Sequence, residues 1–129
     1  MSGGGVRGLV PMAHVADLQR SIEFYARLGF GVNGRFEHEG RLVWAALACA
    51  PLMDEGIGGK LFISLASEPV DATQQAVLFY LYADDVTALR ATLLAQGVNV
   101  SDVSHPEYMK AGEIRLVDPD GYVLLVGQL

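Results

Sequence analysis

The feature that most constrains this chain is an internal repeat, because a fixed offset of 68 residues superposes the start and stop signals of two helices. Asp17 maps onto Asp85, Leu18 onto Val86, Gly29 onto Gly97, Phe30 onto Val98 and Val32 onto Val100. In each copy an acidic residue suited to capping a helix N-terminus precedes an apolar stretch. A glycine then ends the helix and a β-prone segment follows.

The remaining signals fill out both copies. In the first, Leu9 to Val15 reads as a strand, Asp17 caps a helix running to about Leu28, and strands Phe30 to Phe36 and Leu42 to Cys49 flank the turn Glu37-His38-Glu39-Gly40. A loop from Pro51 to Gly59 leads to a strand from Lys60 to Ala66, and the polar stretch Ser67 to Gln75 with Pro69 is a linker. The second copy has a strand Ala76 to Ala83, a cap at Asp84-Asp85, a helix to about Gln96 and strands Val98 to Val103, Glu113 to Val117 and Tyr122 to Gly127. The turn Asp118-Pro119-Asp120-Gly121 joins the last two. The expected architecture is α+β, one domain of tandem βαβββ repeats, with repeat one over about 9–66, the linker over about 67–75, repeat two over about 76–129 and residues 1–6 flexible. Neither unit can bury a whole sheet face alone. The units should therefore associate, with helices on one side and the other face curling around a cavity.

Composition limits the function classes. With 129 residues, 51% hydrophobic and 19% charged, the chain can bury a sizeable core. No apolar run approaches the roughly 20 residues needed to span a bilayer, and the start MSGGG lacks the pattern of a signal peptide, so a cytoplasmic protein is expected. Cys49, the only cysteine, lies in an apolar run and is expected to be a buried structural thiol. The net charge of −6 falls entirely in the second half: six acidic and six basic residues precede Ser67, and nine acidic and three basic follow from it. That field disfavours nucleic acid and anionic membranes as partners and mildly favours cationic small molecules, although ordinary solubility also explains it.

The segments Asp17-Leu18-Gln19-Arg20-Ser21-Ile22-Glu23-Phe24-Tyr25, Leu28-Gly29-Phe30-Gly31-Val32 and Asp118-Pro119-Asp120-Gly121-Tyr122 with Gln128 resemble the vicinal oxygen chelate superfamily. Its members include glyoxalase I, extradiol dioxygenases, fosfomycin-resistance enzymes and bleomycin-resistance binding proteins. The resemblance runs from about Leu9 to Leu129 and implies the glyoxalase/bleomycin-resistance/dihydroxybiphenyl-dioxygenase fold. It also implies metal ligands on the first strand and on a later strand of each repeat. The matching positions here hold Val10, Leu78 and Leu125, with the fourth at Ser64 or, one residue away, Ile63. Aliphatic side chains offer no donor to a divalent ion, so no metal and no cofactor is expected. His14, His38 and His105 show no ligand spacing that would replace these positions; His38 reads as a solvated turn residue and His105 as a loop or lid residue.

Alternation places Val10, Met12 and His14 on one face of the first strand and Leu78, Tyr80 and Tyr82 on the matching face of the second repeat. In glyoxalase-like relatives the position of His14 often carries an arginine that holds a substrate carboxylate; a histidine there can hydrogen-bond and titrate near neutrality, or simply be a satisfied core residue. Tyr80 and Tyr82 suit stacking on a planar or cationic ligand, or packing against a partner subunit. Trp44 beside small alanines is a ligand shelf or core filling. Ser64 is counted with the cavity face, Glu113 and Arg115 are candidates for polar contacts at the mouth or for a solvated ion pair, and Tyr108 and Met109 for closure over a ligand. No nucleophile elbow or phosphate loop is present.

The leading expectation is a homodimeric, metal-free protein that binds a small aromatic or cationic compound in a cleft, as bleomycin-resistance proteins sequester their drug in antibiotic resistance. The rivals are a lyase, isomerase or dioxygenase of the superfamily, using His14 as acid or base or unrecognised metal ligands, and a regulatory dimer without a ligand.

Overall fold

A computed structural model describes residues 4–5, 9–49 and 58–129. Most of the expected flexible start and of the Pro51 to Gly59 loop lie outside the described residues.

Eleven elements follow in chain order: β1 (Met12–Val15), α1 (Leu18–Ala26), β2 (Gly31–His38), β3 (Arg41–Cys49), β4 (Gly59–Leu65), a 3-10 turn (Ala72–Gln74), β5 (Leu78–Ala83), α2 (Val86–Ala95), a second 3-10 turn (Glu107–Met109), β6 (Glu113–Val117) and β7 (Val123–Gln128). Both predicted caps form. The Asp17 carboxylate accepts the Arg20 N–H and the Asp85 carboxylate the Ala88 N–H, each at 3.0 Å, so an orphan donor of each first turn is satisfied. Both helices stop at glycines with positive φ, 100° at Gly29 and 81° at Gly97.

The strands form two sheets, ordered β1-β4-β3-β2 and β5-β7-β6. In each, the first strand pairs in parallel with the last, and the last pairs antiparallel with its predecessor. The β2–β3 hairpin turns at Glu39-Gly40, both at positive φ, so His38 ends β2 opposite Arg41 instead of lying in the turn. Three other expectations need correction. The first strand begins at Met12, leaving Val10 outside it. The fifth begins at Leu78, not Ala76. The segment Val98 to Val103 forms no strand and touches β6 through one isolated bridge, Val100–Leu116, with a second just beyond it at Ser104–Glu113. Two bridges separated by an irregular count of residues cannot make a continuous ladder.

Alternation assigns one face of each sheet to a common core. Ala13, Val15, Ala45, Leu47, Leu61 and Ile63 from the first sheet join Ile114, Leu116, Leu124 and Val126 from the second, with Leu18, Phe24 and Tyr25 of α1 and Val86 and Leu93 of α2. The opposite faces stay open.

The Asp118-Pro119-Asp120-Gly121 turn does more than reverse the chain, the role the sequence suggests. Asp120 is buried against the first half, where its carboxylate accepts the Ala16 N–H at 2.9 Å and the Ser21 hydroxyl at 3.3 Å, with the Arg20 guanidinium at 3.4 Å. The Tyr25 hydroxyl donates to Asp118 at 2.8 Å, and the Tyr122 hydroxyl to the His14 carbonyl at 3.1 Å. Burial holds the Asp118 carboxyl above the usual carboxylate range despite the Tyr25 bond. This polar cluster ties the last hairpin to α1, and buried groups so connected fix geometry because each one left unpaired is costly.

Candidate ligand-binding site

On the open face of the first sheet, pairing aligns Phe36, Trp44, Ser64 and His14 in one row across the four strands. The neighbouring row is Gly34, Ala46, Phe62 and Met12. Trp44 leans over this second row: its ring lies 3.6 Å from where a Gly34 Cβ would be, and its ring centre is 5.0 Å from that of Phe62 at an edge-on angle of 62°. The small residues Gly34 and Ala46 make the shelf on which a large indole can lie. Met12 and Phe36 are more than half exposed, at 56% and 59%, so this apolar surface is uncovered.

The open face of the second sheet repeats the plan with different chemistry. Glu113, Gly127 and Tyr82 share one row, and Arg115, Leu125 and Tyr80 the next. Tyr80 reaches diagonally over Gly127 to donate its hydroxyl proton to Glu113 Oε2 at 2.6 Å, while Tyr108 donates to Oε1 at 2.9 Å. The Tyr80 and Tyr82 ring centres lie 5.3 Å apart, tilted by 53°. Glu113 is only 6% exposed, although sequence alternation suggests a solvated charge. Among the described residues it forms no ion pair; of the alternatives the sequence offers, the link to Arg115 is not made, and two phenols meet the carboxylate instead. Burial and the Glu113 carboxylate push the Tyr80 phenol well above its ordinary range, and the Glu113 hydrogen bond raises that of Tyr108.

These registers also settle which residues correspond. Met12 and Tyr80, 68 apart, stand opposite Phe62 and Leu125, and the Ala66 N–H meets the Val15 carbonyl as the Leu129 N–H meets that of Ala83. The counterpart of Leu125 is therefore Phe62, not Ser64 or Ile63; Ser64 corresponds to Gly127, and Trp44 to Glu113. The metal positions that the family resemblance implies at Val10, Leu78 and Leu125 have their fourth counterpart at Phe62 by register, and none of these side chains can donate to a metal. No group of three or more His, Cys, Asp or Glu side chains among the described residues is arranged to do so.

Not all the predicted residues are brought together. A crevice of about 680 Å³ between the halves is lined by Leu78, Tyr80 and Tyr82 and by Leu28 and Leu61, but by none of Met12, His14, Trp44 or Ser64. Within one chain Trp44 thus lies away from the crevice that Tyr80 and Tyr82 line together with Tyr25 and Phe30 of the first repeat. The His14 imidazole is exposed and has no hydrogen-bond partner among the described residues. Tyr108 and Met109 do flank the second face, with Met109 Cε 2.7 Å from the site of a Gly127 Cβ. His105 is exposed and its Nδ1 lies 2.8 Å from the Lys110 carbonyl; His38 is likewise exposed, and Cys49 is half-buried with no acidic or basic neighbour among its hydrogen bonds. Sequence reasoning misses Gly127 and Phe36. Gly127 reads as an ordinary strand glycine until the side chain that crosses it is known, and Phe36 sits where the hairpin alternation is shifted by a bulge.

The fold is widely shared among solved structures. A bleomycin-binding protein complexed with bleomycin superposes with a TM-score of 0.69 at 20% identity, over 96% of this chain and 99% of that one. The bleomycin resistance determinant encoded on transposon Tn5 gives 0.69 at 20% identity, over 95% and 98%. TnmS3, an antibiotic binding protein from Streptomyces sp. CB03234, gives 0.72 at 22% identity over 98% of both chains. No curated protein sequence matches. Residues 11–126 match the family described as the Glyoxalase/Bleomycin resistance protein/Dioxygenase superfamily, and the chain belongs to that superfamily.

Proposed function

We propose that this chain is a metal-free binding protein that sequesters a small aromatic or cationic compound in a cleft, and that it acts as a homodimer. The observation that carries this reading is the pair of open aromatic faces, Phe36 and Trp44 on one sheet and Tyr80 and Tyr82 on the other, on a scaffold whose metal positions are all hydrocarbon. Exposed apolar surface of this kind marks binding sites and interfaces. Structural likeness to proteins described as binding bleomycin or another antibiotic supports the same class of activity.

A second copy completes the cleft economically. Two-fold pairing that sets the first sheet of one chain against the second sheet of its partner covers both open faces at once and encloses two equivalent cavities. Each would be walled by Trp44 and His14 from one chain and by Tyr80 and Tyr82 from the other. Isothermal calorimetry against a panel of planar aromatic and cationic drugs tests the reading, with sedimentation to report the oligomer. Saturable binding, one ligand per chain and weakened at least about tenfold by Tyr82→Ala, is the expected result. Tight binding untouched by both Tyr80→Ala and Tyr82→Ala, or a protein monomeric at all concentrations, overturns it.

A further inference from the structure

We infer that the Glu113 carboxylate, screened by Tyr80 and Tyr108 and flanked by Tyr82, is the counter-charge of a site for an organic ammonium group. The inference rests on the reading that the second open face binds ligand, and adds to it the chemical class of the group bound there.

Three observations converge. Glu113 is buried on an open face, where a carboxylate with only solvent to meet would turn outward; its two oxygens are taken up by phenol hydrogens, which satisfy its hydrogen bonding but not its charge. An anion compensated by neutral donors in a partly dry site keeps an attraction for cations that bulk water would quench. The phenols themselves transmit it. A tyrosine donating a 2.6 Å hydrogen bond to a carboxylate has a more electron-rich ring, which strengthens the face a cation meets. The Tyr80 ring presents such a face at 38% exposure, and the Tyr82 ring, 5.3 Å away and tilted, adds an ordinary phenol face at 43%, with Tyr108 and Met109 alongside.

The two cations nearest Glu113 in sequence leave it unpaired. Arg115 lies on the same face, one row away in the register, and makes no ion pair with Glu113; Lys110 offers its carbonyl to His105 and likewise makes no ion pair among the described residues. A compact, strongly hydrated metal ion would gain little from phenol rings, and no group of three or more His, Cys, Asp or Glu side chains among the described residues is arranged to hold one. An alkylated ammonium, weakly hydrated and apolar at its rim, fits three aromatic rings and one shielded charge. The matching row of the first sheet has Trp44 in place of Glu113, so only one of the two faces carries the charge. A ligand held between them would be oriented, with its ammonium toward the second repeat.

Choline and its neutral isostere 3,3-dimethylbutanol separate charge from shape, and their binding to the full chain can be compared by NMR titration. Choline is expected to bind at least about tenfold tighter than the isostere. Glu113→Gln, which keeps the shape and an acceptor for one phenol, should remove that preference. Tyr82→Leu, at a half-exposed position where folding is not at stake, should weaken choline and spare the isostere. Equal affinity for the two probes, a preference that survives Glu113→Gln, or no binding of choline overturns the ammonium assignment. The cleft reading stands or falls separately, on whether a neutral planar aromatic binds and is lost in Tyr82→Ala.

Discussion

The Tyr80 hydroxyl meets Glu113 at 2.6 Å only because the residue between them in the register, Gly127, has no side chain. A Cβ there would lie 2.7 Å from both the Tyr80 hydroxyl oxygen and Met109 Cε. These are the ends of flexible side chains, so Gly127→Ala should fold, at a cost of about 1–3 kcal/mol from crowding. It should also break the Tyr80–Glu113 bond and reduce ligand affinity at least about tenfold. Thermal melting and calorimetry on the same variant separate the two effects.

Tyr80 and Tyr108 stay protonated beyond the ordinary phenol range of about 10, Tyr80 through burial and its hydrogen bond to Glu113, and Tyr108 through its own hydrogen bond to the same carboxylate. A phenol whose folded pKa is raised stabilises the fold fully at lower pH, and that contribution is lost as pH rises through the folded pKa. Ultraviolet titration of the intact protein should show these two tyrosines ionising late. In Glu113→Gln they should move down toward ordinary behaviour. Unchanged titration in the variant would mean that the carboxylate is not the cause.

Tyr25 and Asp118 join the two halves through a buried 2.8 Å hydrogen bond. Tyr25→Phe leaves the Asp118 carboxyl short of a donor and should cost about 1–3 kcal/mol in urea denaturation. Asp118 itself has a raised folded pKa, so its protonated form favours the fold, and that advantage declines as pH rises from the ordinary carboxylate pKa through the raised one. The melting temperature of the native chain relative to Asp118→Asn should therefore fall as pH is raised across the mildly acidic range.

Protein purified without chelators should carry no stoichiometric divalent metal, and treatment with a chelator should leave its melting temperature and ligand affinity unchanged. Elemental analysis and a melting scan test this directly. A bound metal would have to use residues other than Val10, Phe62, Leu78 and Leu125.

Local chemistry makes much of this protein legible in its sequence alone. A helix cap, a glycine at positive φ and a Glu39-Gly40 turn each act within a few residues, so Asp17, Asp85, Gly29 and Gly97 could be assigned from spacing alone, and with them the tandem βαβββ plan. The family resemblance puts Val10 and Leu125 at metal positions, and the 68-residue offset carries Val10 to Leu78. Tertiary structure decided what depends on distant pairing. The offset falls to 63 at the last strands, because the connection between β3 and β4 is longer than the tight turn between β6 and β7, and only the ladder registers show that Phe62 answers Leu125. The Val98 to Val103 segment is β-prone in composition yet forms only one isolated bridge. Glu113 looked like a solvated charge because alternation reports a face, not who covers it. Its burial comes from Tyr80, 33 residues away in sequence, crossing a glycine on the strand between them.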